Sequence, residues 1–370
     1  MDDRVREHAE VLVDWSARIE EGDDVVVSVA EGAHDLAVAV AGVLGERGAN
    51  PVTTYASAEV ERAYLLGHDG EFESDPAHEL ALYENADAVL FLGGGRNTAA
   101  TADVPGERRS ARDRARTGVR EARMATDWVS TVHPTRSLAQ QAGMAYEEYR
   151  EFAYGAILRD WESLAAEMAK LKDVFDAGET VRIVVEDATG ETKTDVSMSI
   201  TDRTAVNSAA SVASDSHNLP SGEVFTAPYD AEGVVTFDVP MTLRGRRVRD
   251  VRLTFEGGEV VDFEAAENGG VLADVLDTDE SARRLGELGV GMNRGIDRFT
   301  DNVLFDEKMG DTVHLALGRA YDACLPAGEA GNDSAVHVDL IADVSERARM
   351  EVDGDVIQRD GRFRWEVGFE

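Results

Sequence analysis

The sequence predicts an α/β N-terminal domain with a parallel sheet over residues 1–176, followed by a β-rich α+β C-terminal domain over residues 177–370. Three observations predict this. Short, nearly continuous apolar runs recur through the first half, separated by segments of helical spacing, as in βαβ units around a buried parallel sheet. A helical stretch then stops at Gly178. Beyond it come short runs rich in Val, Thr and Phe, divided by glycine pairs, a texture of strands and turns. At 370 residues the chain is long enough for two cores.

Residues 25–30, Val-Val-Val-Ser-Val-Ala, are the first predicted strand. A helix follows with Leu36, Val40, Val43 and Leu44 on one face, stopping near Gly48. Residues 51–55 form the second strand, 88–92 the third and 128–132 the fourth, which ends at Pro134. The segment Gly93-Gly94-Gly95-Arg96-Asn97-Thr98 lies at a strand end where ligands often sit in such sheets. It matches neither the dinucleotide nor the P-loop spacing, so it reads as a glycine-rich turn. Trp161, Leu164, Met168, Leu171 and Phe175 recur every three or four residues within a helical stretch from Tyr146 to Phe175. In the second domain strands are expected at 181–185, 194–200, 233–237 and 251–255, with Gly257-Gly258 and Gly269-Gly270 as turns.

Composition excludes several function classes. The net charge of −36 argues against nucleic acid and anionic membranes, both of which require clustered Lys and Arg. Only Lys170, Lys172, Lys193 and Lys308 are lysine, and acid is dispersed along the whole chain. Such dispersal favours adaptation to high cytoplasmic salt, where ions screen the self-repulsion, over the competing reading of an acidic face for a basic partner. No run of about 18 apolar residues occurs, so no membrane span is expected. The opening Met1-Asp2-Asp3-Arg4 lacks the apolar stretch of a secretory leader, and the expected location is the cytoplasm. With one cysteine, Cys324, neither an intramolecular disulfide nor a thiolate zinc site can form. Cys324 is expected in the core.

Candidate chemistry lies late in the chain. His314 falls in the strand-like run 313–318 and His337 in 336–340. Residues two apart on a strand share a face, so His337 and Asp339 project together from an apolar segment, as an ion pair or part of a metal site. Glu223 sits in a turn framed by Pro220, Gly222 and Pro228 within an apolar run, where a carboxylate is costly to bury without a cation. Glu287 is embedded among Leu285, Gly286, Leu288 and Gly289. Tyr321 follows His314 after Gly318 and is within reach of the same pocket. Lys308, a rare lysine, precedes the His314 strand and is a further functional candidate beside a salt-bridged turn. His8, His34, His68, His78 and His133 are expected at the surface, and His217 beside the pocket.

Four segments, in order, carry a resemblance: Asn-Leu-Pro-Ser-Gly-Glu-Val-Phe-Thr-Ala-Pro at 218–228, Leu-Gly-Glu-Leu-Gly-Val-Gly-Met-Asn at 285–293, Phe-Asp-Glu-Lys-Met-Gly-Asp-Thr-Val-His-Leu-Ala-Leu-Gly at 305–318, and His-Val-Asp at 337–339. Together they resemble the aminopeptidase T / aminopeptidase S family of thermophilic metallo-aminopeptidases, most closely from about 180 to 361. The resemblance implies two divalent metals held by Glu223, Glu287, His314, His337 and Asp339, with Tyr321 at or near them. Glu287 is expected to be shared between the metals or to help activate water. Imidazole and carboxylate donors suit Zn²⁺, Co²⁺ or Mn²⁺. The implied reaction is release of N-terminal residues from short peptides by a homodimer. The chain departs from the family pattern at Val338 and Met292, and the segment between His314 and His337 is short. Two alternatives are a mononuclear-iron ring-opening dioxygenase of similar fold, which needs fewer ligands, and a non-catalytic metal- or peptide-binding protein.

Overall fold

The computed structural model describes residues 2–369. The chain divides into two compact units, Met1–Arg159 with Ala210–Pro220, and Asp160–Ala209 with Ser221–Glu370.

The first unit holds a five-stranded parallel sheet in the order Asn50–Ala56, Asp24–Ala30, Ala88–Gly93, Asp127–Val132 and Asn218–Leu219. Val25, Val26, Val27, Val89, Leu90 and Val129 are buried, which is why these strands read as continuous apolar runs. Strand Asn50–Ala56 lies at the sheet edge and is largely exposed, where Pro51 can be accommodated. Helix His34–Arg47 buries Leu36, Val40, Val43 and Leu44, and Gly48 ends it at φ +77°, a backbone angle that favours glycine.

Two of the histidines expected at the surface are inside. Helix Asp3–Glu10 turns Val5, His8 and Ala9 inward, and His8 Nε2 lies 2.8 Å from Thr131 Oγ1. His133, just past the end of a central strand, is buried as well. Isolated histidines carry no periodic signal, so their burial was not legible. His217 stacks on Trp128 at 4.4 Å, and its Nδ1 lies 2.8 Å from the Trp128 carbonyl. Its contacts are therefore with the parallel sheet of the first unit.

The second unit contains an eight-stranded and a five-stranded sheet, both with antiparallel pairings. Strands Thr180–Glu186, Thr192–Ser199, Tyr229–Phe237 and Val251–Glu256 contribute Ile183, Val196, Val235, Leu253 and other residues to one apolar core. The five-stranded sheet contributes Leu288, Val290, Val313, Leu315 and Leu340 to the same core. Helix Trp161–Ala177, capped by Asp160, adds Met168, Leu171 and Phe175. Gly269-Gly270 opens a helix, Gly269–Leu276, instead of forming a turn. Burial of Leu272, Val275 and Leu276 on one face outweighs the poor helix propensity of the glycines. No helix among the described residues is long and apolar enough to cross a membrane.

Candidate metal centre

The five-stranded sheet runs in the order His337–Asp343, Thr312–Gly318, Leu285–Gly291, Glu223–Thr226 and Val206–Ser208. Its register sorts the side chains. Gly291 pairs with Glu223, Gly289 with both Phe225 and His314, Ala316 with both Glu287 and Asp339, and Gly318 with His337. Paired residues share a face, so Glu223, Glu287, His314, His337 and Asp339 all project from one side of the sheet. The intervening Val224, Leu288, Val290, Val313, Leu315, Leu317 and Leu340 point into the core. Burial of that apolar set fixes the register, and the register brings the polar set together.

Small residues make room on the polar face. A Cβ on Gly289 would overlap the His314 imidazole, and one on Gly291 would overlap the Met309 carbonyl. Glycine in these strands thus marks close approach of other groups.

Glu287 joins two groups of side chains that could each hold a metal ion. Glu223, Glu287 and His314 form one, with oxygen and nitrogen atoms within 4.8 Å of one another; Glu287, His337 and Asp339 form the other on the same criterion. Glu287 Oε1 lies 3.0 Å from His314 Nε2, and Oε2 lies 3.4 Å from His337 Nε2. Glu223 Oε2 is 3.6 Å from His314 Nε2, and Asp339 Oδ1 is 3.5 Å from His337 Nε2. The His337 ring is oriented through Nδ1, which donates to the Arg319 carbonyl at 2.8 Å. Glu223, Glu287 and His314 are buried, whereas His337 and Asp339 are partly exposed, so the site opens on the His337 side.

Electrostatics follow from this crowding. Burial pushes the Glu223 carboxyl above its ordinary range, against the pull of Lys308 and His314. Burial acts in the same direction on Glu287, but hydrogen bonds from His314 and His337 outweigh it and hold that carboxyl low. Desolvation opposes a charge on His337, yet Asp339 and Glu287 raise its affinity for a proton to about 11. Asp339 is lowered: burial is overcome by His337 and His314. Glu223 Oε2 is buried without a hydrogen-bond partner among the described residues, a costly arrangement for a carboxylate oxygen unless a cation completes it. Three carboxylates, two imidazoles and this orphaned oxygen fit divalent metal ions that accept oxygen and nitrogen donors.

The structure places the remaining candidates too. Tyr321 is half exposed, its ring 5.1 Å from that of His337 and 5.6 Å from Phe225. Burial, then the charges of Glu287 and Asp339, push its phenol well above the ordinary range, so it keeps its proton. Lys308 is fully enclosed, with Nζ 3.4 Å from Glu223 Oε1 and a second contact to Glu307. Phe225 escaped the sequence reading; its one signal is the place two residues after Glu223, which puts it on the same strand face. Cys324 is buried with Ala227 and Ala320, and burial pushes its thiol up to about 12, as for a packing residue. Glu223 begins a strand instead of lying in a turn, and Glu287 lies within one.

Residues 1–363 match the profile of the family described as thermophilic metalloprotease (M29). Aminopeptidase T of Thermus thermophilus is 34% identical over 169 residues, covering 40% of this chain and 40% of that protein. Aminopeptidase T of Thermus aquaticus is 32% identical over the same shares. In sequence the chain thus spans about 40% of the length of these relatives. The structure of wild-type AmpT from Thermus thermophilus superposes with a TM-score of 0.83 at 26% identity, covering 98% of this chain and 99% of that one. The chain belongs to the thermophilic metalloprotease family (M29).

Proposed function

We propose that this chain is a metallo-aminopeptidase that removes N-terminal residues from short peptides, using two divalent ions that share Glu287. The observation that carries this function is the membership of Glu287 in both ligand groups. Glu223 and His314 complete one group, His337 and Asp339 the other. The donor set suits Zn²⁺, Co²⁺ or Mn²⁺. When bound, such ions supply Lewis acidity toward the scissile carbonyl, a water of lowered pKa and a point of attachment for a free amine.

The protein's own groups divide the remaining work. Glu287 offers one carboxylate oxygen to each side and so fixes the two halves of the site relative to each other. The Arg319 carbonyl holds the His337 ring, leaving Nε2 toward Glu287 and Asp339. The protonated Tyr321 phenol, beside the open His337 side, donates a hydrogen bond to the oxyanion of the attacked carbonyl. Phe225 and Tyr321 form an apolar wall for the substrate's first side chain. The aminopeptidase T resemblance supports two further parts of the proposal, a homodimeric assembly and exclusion of folded proteins.

Hydrolysis of leucine p-nitroanilide in molar KCl tests the proposal. Activity should vanish on chelation and return with Zn²⁺, Co²⁺ or Mn²⁺. A folded, metal-loaded protein inert toward aminoacyl anilides would contradict it, and iron-dependent oxygen uptake would point to the ring-opening dioxygenase instead.

A further inference from the structure

We propose that Lys308 is a positioning residue for Glu223: its ammonium holds Oε1, so that Oε2 is the oxygen offered to a divalent ion. This inference rests on the metal centre proposed above. The two oxygens of Glu223 have different surroundings. Oε1 lies 3.4 Å from Lys308 Nζ. Oε2 is buried, has no hydrogen-bond partner among the described residues and lies on the His314 side, 3.6 Å from Nε2. A carboxylate free to rotate could present either oxygen or both. The ammonium removes that freedom.

Lys308 is built into place. It follows the short helix Val303–Asp306. The Asp306 carboxylate accepts from Thr300 N at 2.8 Å, Thr300 Oγ1 at 2.7 Å and Asn302 N at 2.9 Å, which ties the turn together. Lys308 N donates to the Phe305 carbonyl at 3.0 Å, and its own carbonyl accepts from Asn293 N at 3.2 Å. The missing side chain of Gly291 lets the following Met309 carbonyl approach the strand. Glu307 supplies a second counter-charge, so the enclosed ammonium is paired on two sides.

Residue choice points the same way. The chain has four lysines, and Lys170, Lys172 and Lys193 make ion pairs at the surface. Arginine serves as the other basic residue throughout, yet lysine occupies the one position against Glu223. An ammonium is a compact point charge with three donors and can serve Glu223 and Glu307 at once. The flat, wider fork of a guanidinium would need more room in an enclosed space.

The test is metal binding, read without turnover. Zn²⁺ titrations by calorimetry and the visible spectrum of the Co²⁺-loaded protein are compared for the natural chain, K308M and K308R, with thermal unfolding of the chelated proteins as a control of fold. K308M should weaken one of two ions by about 10–100-fold, leave the other unchanged and alter the Co²⁺ spectrum. K308R, which retains the charge and secures the comparison if K308M does not fold, should weaken the same ion, because its fork cannot take the ammonium's position. In E223Q the further change K308M should have no added effect on metal affinity. Two ions bound by both Lys308 variants with natural affinities and an unchanged spectrum would overturn the role of Lys308. Absence of metal binding by the natural chain would instead overturn the metal centre itself.

Discussion

Gly289 stands directly across the sheet from His314, and the imidazole fills the space a Cβ would take. Replacing Gly289 with Ala should therefore displace His314 or spread the two strands. Overpacking of this kind costs about 1–3 kcal/mol of stability. Displacing His314, a proposed ligand, should lower kcat/KM by about 10–100-fold, in line with losses on disturbing metal-site geometry. Metal analysis and kinetics on G289A check this; a variant with natural metal content and activity would show that the close approach has no consequence.

Glu287 and Glu223 should differ when neutralised. E287Q removes the charge shared by both candidate ligand groups, so it should lose both ions or bind them far more weakly, with kcat/KM falling by more than the about 10–100-fold that outer partners of a metal site command. E223Q touches one group, so it should retain one ion. Metal stoichiometry by mass spectrometry distinguishes the two, and equal stoichiometry in both variants would argue against a shared carboxylate.

His8 predicts an acid-sensitive first unit. Burial lowers the proton affinity of its ring to about 3, with a small further push from His133. An unfolded histidine titrates near 6.5. Above that pH the ring is neutral in both states and costs nothing. As pH falls below it, the unfolded chain takes up a proton that the native chain refuses, so stability declines by about 1.4 kcal/mol per pH unit until about pH 3. H8N should show a shallower decline between about pH 6.5 and 4.5 than the natural chain in denaturant unfolding, whatever its absolute stability. Parallel declines would show that His8 is not the proton-sensitive group.

Salt should stabilise the protein. A net charge of −36 repels itself at low ionic strength, and screening reduces that repulsion. Many of the ion pairs are surface pairs such as Arg6 with Glu46 and Arg47 with Asp14, which contribute little. The thermal midpoint should rise steadily from dilute buffer to molar KCl. A midpoint that falls with salt would mean that these pairs outweigh the repulsion.

The fold was legible where burial is simple. Parallel strands covered on both faces show as Val-rich runs, and helix His34–Arg47 shows its apolar face and its terminal glycine. The site was legible as a set of residue types in familiar segments, and the structure brings Glu223, Glu287, His314, His337 and Asp339 together. Their local setting was harder to read. Alternation in Leu285–Gly291 is masked because glycines occupy the polar face, so Glu287 looks like an acid at a helix end. Glu223 follows Pro220 and Gly222 and resembles a turn residue until pairing with Gly291 defines its strand. Burial of His8 and Lys308 depends on contacts distant in sequence, and only the rarity of lysine marked Lys308.

Anomalous diffraction from crystals loaded with Zn²⁺ tests the central claim most directly. Two peaks should appear, one bounded by Glu223, Glu287 and His314, the other by Glu287, His337 and Asp339, with one Glu287 oxygen toward each. A single peak at full metal occupancy, or two peaks without Glu287 between them, would contradict the shared-carboxylate centre.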